Sequence, residues 1–253
     1  MKQQPLTTYL KLCTEFYDLD KGPDKDLNIM DFYLQKARHA QGPILEPMCG
    51  TGRFLIPMLE AGLDATGFDA SPYMLDAFRQ KWPHQPAPFW QQFVQNFSSD
   101  LRYNLIFVPF GSWGLITDAD DAKKSLASMY YHLAPGGTFI LEIETVASVP
   151  YPCGIWRRGL HTRADGSRIA INTMTSYDPT TQLFQALCRY ESLVDGVIVA
   201  TETEDFKQHL FRFDEMDTLL RDAGFVHFNK YQDYQLTPAT NEMTHIIIYE
   251  CTK

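Results

Sequence analysis

One stretch limits the folds open to this chain more than any other. The apolar pair Ile44-Leu45 runs into Glu46, and a turn carrying Gly50 and Gly52 leads into a helical pattern at Leu55. A second short strand pattern then ends in Asp69. Strand, glycine turn, helix and a second strand closing on a carboxylate make half of a nucleotide-binding βαβ unit. Glycines in such a turn let backbone amides approach a ligand that a Cβ would push away. Amides at the start of the next helix favour negative charge, and a carboxylate at Asp69 can accept two hydrogen bonds from a ribose diol. A dinucleotide site needs a third small residue three places after the second glycine, for packing over the pyrophosphate. Leu55 stands there instead, and no Gly-Lys-Ser/Thr follows to make a P-loop. A ligand with a ribose, an adenine and a zwitterionic tail fits these residues better than one with phosphates.

The spacing acidic-x-x-x-Gly-x-Gly at Glu46, Gly50 and Gly52, followed by Asp69, resembles the class I S-adenosylmethionine-dependent methyltransferases of the small-molecule type. Further stretches match that family in order. Asp69 is followed by Ser71-Pro72, an N-cap with proline at the first helical position, and then by Tyr73-Met74-Leu75. Asn104 to Phe110 is a continuous apolar run that reads as a buried parallel strand. Leu133 to Glu144 matches the family's Leu-x-Pro-Gly-Gly turn and fifth strand, and Leu219 to Phe225 its late helix, stopped by Gly224. The resemblance implies an α/β, Rossmann-like, doubly wound and mostly parallel seven-stranded sheet, with S-adenosyl-L-methionine as cofactor. Carried over position by position, the cofactor-binding residues are Tyr17, Glu46, Gly50, Gly52, Asp69, Ala70, Met74, Gln92, Phe93, Val94 and Pro109. Tyr17 belongs to an aromatic-Tyr-Asp element, Phe16-Tyr17-Asp18, that in the family closes over the methionine end of the cofactor. One departure stands out. The third strand of the family commonly ends in an acid that accepts from the adenine amino group, and Gln92, Phe93 and Val94 occupy that place. Gln92 offers an amide oxygen and Phe93 a ring to stack on the base.

With 253 residues, 45% of them hydrophobic, the chain can bury one sizeable core. The expected organisation is a helical cap over residues 1–40, a cofactor-binding core over 41–145, an antiparallel β insertion over 146–212, and a last helix with two strands over 213–253. Within the cap, Leu6 to Leu19 and Asp26 to Ala40 carry apolar residues at helical spacing, separated by Lys21-Gly22-Pro23. In the insertion, Asp165-Gly166, Asp178-Pro179 and Asp195-Gly196 are turn signals between stretches rich in β-branched and aromatic residues. Trp156 to Arg163, Arg168 to Tyr177, Gln182 to Val194 and Val197 to Phe211 therefore read as an antiparallel ribbon of about four strands. Following strand five, it would lie at the carboxyl ends of the parallel strands, where α/β sheets bind ligands. It reads as a lid over a methyl acceptor or as a ribbon joining two copies of the chain in a homodimer.

Charge and cysteine usage bound the partners. A net charge of −9 without a run of Lys or Arg argues against nucleic acid and anionic membranes, and for a small-molecule acceptor. The five scattered cysteines lack a Cys-x-x-Cys, which fits a reducing compartment, and the start of the chain has no apolar signal core, so a cytoplasmic location is expected. The seven histidines show no metal-binding spacing. Glu144 ends the fifth strand on the same face as Glu142, and with His209 it is a candidate to orient or deprotonate an acceptor. Trp113, Trp156 and His161 are candidates to wall the acceptor's place. The leading reading is transfer of a methyl group to a small-molecule N or O acceptor by direct displacement. A non-catalytic binder of S-adenosylmethionine or S-adenosylhomocysteine and a nicotinamide-dependent oxidoreductase are the alternatives.

Overall fold

The computed structural model describes residues 6–22 and 25–253, so Pro23 of the Lys21-Gly22-Pro23 separator and the first five residues of the cap lie outside the described residues. Two helices come first, α1 (Lys11–Asp20) and α2 (Leu27–His39). The βαβ unit follows as β1 (Ile44–Pro47), α3 (Leu55–Glu60), β2 (Ala65–Asp69) and α4 (Pro72–Lys81). Next come β3 (Phe89–Gln91), β4 (Tyr103–Val108), α5 (Ala119–His132) and β5 (Leu133–Glu144). After β5 the chain runs through β6 (Trp156–Thr162), β7 (Arg168–Asp178), β8 (Leu183–Val194) and β9 (Val197–His209). It ends with α6 (Glu215–Ala223), β10 (His227–Tyr231) and β11 (Ile246–Thr252). Among the described residues no helix is long and apolar enough to cross a membrane.

Seven strands form one sheet in the order β10-β11-β5-β4-β1-β2-β3. Strands β1 to β5 pair in parallel, and β11 runs antiparallel between β5 and β10. The order reverses between β1 and β4, which leaves a crevice beyond their carboxyl ends. The apolar run of β4 explains its central place: Leu105, Ile106, Phe107 and Val108 are all buried, because helices cover both faces of the sheet. Side chains of this size contribute about 1.5–3 kcal/mol each on full burial.

The four strands of the insertion make a second, antiparallel sheet in the order β6-β7-β8-β9. Its β8–β9 turn has Asp195 at φ 50° and Gly196 at φ 80°, the two successive left-handed residues that a two-residue hairpin needs to match strand twist. Strand β9 stops at His209, short of the expected Phe211. Phe211 forms a parallel bridge with Thr145 instead, which returns the chain to the end of β5.

The first helix also starts later than the apolar spacing suggests, at Lys11 and not Leu6. Its start is tied to the ribbon. Glu204 of β9 accepts from the Leu10 N–H at 2.7 Å, and Glu202 from the Cys13 N–H at 2.9 Å. Two carboxylates thus take N–H groups that have no partner inside the helix. Arg163, just after β6, donates from Nη2 to Glu15 Oε2 at 2.9 Å, and the Phe16 ring meets the edge of His161. These contacts hold α1 between the ribbon and α4.

Candidate functional site

The crevice opens into a cavity of about 810 Å³ at the carboxyl ends of β1, β2, β4 and β5. Asp69 sits at its edge, at the end of β2. Its Oδ2 accepts from the Gly50 N–H at 2.9 Å and its Oδ1 from the Ser71 N–H at 2.8 Å. Burial pushes its carboxyl up, and these backbone donors act against that. Each oxygen keeps a lone pair for a further donor. Ser71 caps α4, as its position before Pro72 suggests, accepting from the Met74 N–H, and its hydroxyl donates to the Tyr9 carbonyl at 2.6 Å.

The two turn glycines do different work. A Cβ on Gly50 would meet nothing closer than Met74 Sδ at 3.9 Å, so the space beside it is open to a ligand. A Cβ on Gly52 would stand 2.6 Å from the Phe78 ring. Gly52 does not line the cavity; it lets the turn pack on α4. The other ten cofactor candidates, Tyr17, Glu46, Gly50, Asp69, Ala70, Met74, Gln92, Phe93, Val94 and Pro109, do line it. Gln92 donates from its amide to the Asn96 carbonyl at 2.9 Å, which leaves its amide oxygen to accept.

Two ionisable groups at the base of the cleft lack part of their bonding. Glu46 is 2% exposed and its Oε2 has no partner; Arg53 has a buried Nη1 with none. The rest of the Arg53 guanidinium is held, with Nη2 donating to the Lys25 carbonyl at 2.8 Å and to Asp26 at 2.9 Å. Burial, and then the Asp69 charge, raise the Glu46 carboxyl well above the ordinary range. Burial raises the Tyr17 phenol to about 12, against the pull of Arg53. A carboxyl and a guanidinium, each with an unmet buried atom, are complementary to the ammonium and carboxylate of a zwitterion, and an ammonium beside Glu46 would favour its ionised form.

Beyond this cleft the cavity continues to Phe110, Ile116, Glu142, Glu144, Gln208 and Tyr234. Tyr33 of α2 and Tyr234 of the β10–β11 loop both donate to Glu142 Oε2, at 3.3 and 2.7 Å. Burial raises the Glu142 carboxyl to about 7, while Tyr234, the Phe110 backbone N–H and Tyr33 hold it down. Glu144 is raised by burial too, with Gln208 and Lys21 acting against that.

Of the catalytic candidates, Glu144 lines the cavity and His209 does not. Alternation along β9 sends Gln208 to the cavity and His209 to the other face, where its Nε2 meets Glu215 Oε1 of α6 at 2.8 Å. Trp113, Trp156 and His161 lie outside the cavity as well. Trp113 is fully buried in the core against Phe139, Trp156 is 53% exposed on the ribbon, and His161 faces Asp20 at 3.3 Å. Residues that sequence reasoning missed include Tyr9, Arg53, Gln208 and Tyr234. Arg53 had a signal in its place directly after Gly52; Tyr234, in a loop between two C-terminal strands, had none.

A family model described as a methyltransferase domain matches residues 44–137, the span that holds the glycine turn, Asp69 and the start of β5. Over that span the chain is similar to methyltransferase domains. It is 26% identical over 115 residues to a putative methyltransferase, YqeM, of Bacillus subtilis, covering 45% of this chain and 47% of that one. It is 25% identical over 131 residues to the dTDP-3-amino-3,4,6-trideoxy-alpha-D-glucopyranose N,N-dimethyltransferase of Streptomyces venezuelae, covering 51% and 54%. The chain thus spans about half the length of the curated relatives it matches. The sugar N-methyltransferase KedS8 from Streptoalloteichus sp ATCC 53650 shares the fold over 98% of this chain and 95% of its own, with a TM-score of 0.75 and 15% identity.

The residues of the cleft suit S-adenosylmethionine, the cofactor that the resemblance implies. Asp69 retains acceptor capacity for a ribose, the open side of Gly50 leaves room for it, and the unmet atoms of Glu46 and Arg53 suit an ammonium and a carboxylate.

Proposed function

We propose that the protein transfers a methyl group from S-adenosylmethionine to a small-molecule N or O acceptor by direct displacement. The observation that carries this reading is the continuity of the cavity. One space runs from the Glu46–Asp69 cleft to Glu142, Glu144, Gln208 and Tyr234, with a volume in the range of small-molecule sites, about 300–1,000 Å³. A relative named as an amino-sugar N,N-dimethyltransferase supports a small acceptor.

When bound, the cofactor supplies a methyl group already activated on a sulfonium. The chain then has to hold the acceptor's lone pair in line with it and keep water out. Phe110, Ile116 and Ile246 supply apolar wall, and α1, clamped by Glu204 and Glu202, brings Tyr17 over the cleft. Asp18 next to it accepts from the Thr51 hydroxyl at 2.6 Å, fastening the helix to the glycine turn. Among the candidate residues, Glu46, Asp69, Gln92 and Tyr17 are proposed for the cofactor, and Glu142, Glu144 and Gln208 for the acceptor.

The test is a screen of pooled amines and alcohols with S-adenosylmethionine labelled in its methyl group. Acceptor-dependent release of S-adenosylhomocysteine is expected. Tight S-adenosylhomocysteine binding without transfer to any acceptor would make the protein a binder, and stabilisation by NADH alone would point to an oxidoreductase.

A further inference from the structure

Two tyrosines from elements far apart in the chain meet on one carboxylate oxygen of Glu142, which is 3% exposed and yet lines the cavity. Two hydroxyl donors on one oxygen favour the ionised form, because a proton on that oxygen would force one tyrosine to turn and accept. Among the described residues no Lys, Arg or His is ion-paired with Glu142; Lys21, which acts on Glu144, and Arg53 both stand over the Phe110 ring, at 5.8 and 5.0 Å. A buried carboxylate supplied with donors but no counter-charge is costly alone and gains from a cationic ligand.

The groups packed directly on Glu142 are neutral or acidic. Tyr33 comes from α2, Tyr234 from the β10–β11 loop, Glu144 from β5 itself, and the Phe110 N–H from the end of β4. Ile248, opposite on β11, is apolar. Further out, Glu46 acts on Tyr33 and Asp26 on Tyr234, both as negative charges. The carboxyl at about 7 is poised to exchange a proton near neutrality.

We propose that the acceptor is a small amine entering as its ammonium ion, and that Glu142, held by Tyr33 and Tyr234, takes its proton before methyl transfer. This rests on the methyltransferase reading above. The ammonium loses one proton to Glu142, and the freed nitrogen lone pair forms the N–C bond as the C–S bond breaks. The bonding pair stays on sulfur, the product leaves as a methylated ammonium ion, and Glu142 releases its proton to solvent. Glu142 is the catalytic residue here; Tyr33 and Tyr234 are positioning residues that act through it.

The experiment uses the full chain saturated with S-adenosylhomocysteine, and two probes that share a ring but differ in charge, cyclohexylamine and cyclohexanol. Calorimetry across pH 5 to 10 reads their affinities. The amine should bind at least about tenfold more tightly than the alcohol, as expected for a charge-assisted contact in a buried site. Its affinity should rise with pH as Glu142 ionises. Glu142→Gln should abolish both the preference and that rise. Tyr234→Phe removes one hydroxyl, leaves the ring beside Phe32, and should move the rise to higher pH by about one unit. A tyrosine that only supported the fold would leave the midpoint of that rise where it was. Equal affinity for the two probes, binding of neither, or an unmoved midpoint in Tyr234→Phe would overturn the proposal. Failure of S-adenosylhomocysteine itself to bind would instead strike the methyltransferase reading.

Discussion

Glu142→Gln should change how the stability of the free protein depends on pH. The side chain has a folded-state value of about 7 against an ordinary 4.5, raised chiefly by burial. For an acid raised on folding, the unfolded chain gives up its proton first. Below about pH 4.5 both states are protonated and the group makes no difference. Between there and about pH 7 the folded state increasingly holds back an ionisation that the unfolded chain completes, and stability falls. Above pH 7 the loss is complete. The gap between the two values, at 1.36 kcal/mol per pH unit, corresponds to about 3 kcal/mol. That is a large share of the 5–15 kcal/mol or so by which domains are stable. Glutamine keeps the shape and an acceptor oxygen for Tyr234, but cannot ionise, so the variant should lack this fall. Glu144, whose charge adds to the rise, keeps its own smaller dependence in both proteins. Urea unfolding of both proteins without cofactor, at pH 5 and pH 8, measures the difference directly. Wild type should lose about 2.5 kcal/mol more than the variant over that range, since part of the loss lies below pH 5. Parallel pH dependence in the two proteins, within about 1 kcal/mol, would show that Glu142 is not buried and ionisable as described.

Asp69→Ala should weaken S-adenosylhomocysteine binding by at least about tenfold in calorimetry, since each hydrogen bond to a charged group is worth roughly 1.5–3 kcal/mol; unchanged affinity in a folded variant would remove Asp69 from the site. Gly52→Ala should lower the melting temperature by several degrees, because its Cβ would stand 2.6 Å from Phe78 at a φ of 81°, and overpacking of this kind costs about 1–3 kcal/mol. An unshifted melting curve would mean that the turn relaxes freely. Gln208→Leu should impair methyl transfer while leaving S-adenosylhomocysteine affinity within about threefold, whereas Trp156→Ala should leave turnover intact; the opposite pattern would put the acceptor against the outer ribbon. If Trp156→Ala instead lowers the mass seen in light scattering, the exposed first strand of the ribbon joins two copies of the chain.

Much of the fold was legible because its causes are local. The glycine turn, the Ser71-Pro72 helix start, and Asp195-Gly196 between two runs of β-branched residues each carry their own backbone geometry within a few positions. An unbroken apolar run such as Leu105 to Val108, bounded by turn residues, reads as a strand covered on both faces. The ends of elements were less clear, as at Leu6 to Leu10, because the start of α1 is set by Glu202 and Glu204 reaching across from β9. The lining of the Glu46–Asp69 cleft was also largely readable, since most of it lies on one contiguous βαβ unit and Gln92 to Val94 follow from the strand count.

The far end of the cavity, proposed for the acceptor, was not readable in the same way. Gln208 and His209 are both polar neighbours at the end of a strand, and only the pairing of β9 with β8 and its approach to Gly111 and α6 decide which of them faces the cavity. Trp113 follows β4 directly, but the packing of Phe139 draws it into the core. Glu142 and Glu144 share a strand face by simple alternation, so the sequence placed both carboxylates together. That Glu142 is the one clasped depends on Tyr33 and Tyr234, whose hydroxyls converge only after α2 and the β10–β11 loop have packed from opposite ends of the chain. Local patterns determine backbone shape and the face a residue shares with its neighbours. Which groups lose water and gain a partner is decided by distant segments, and it is that exchange which sets their charge and their chemistry.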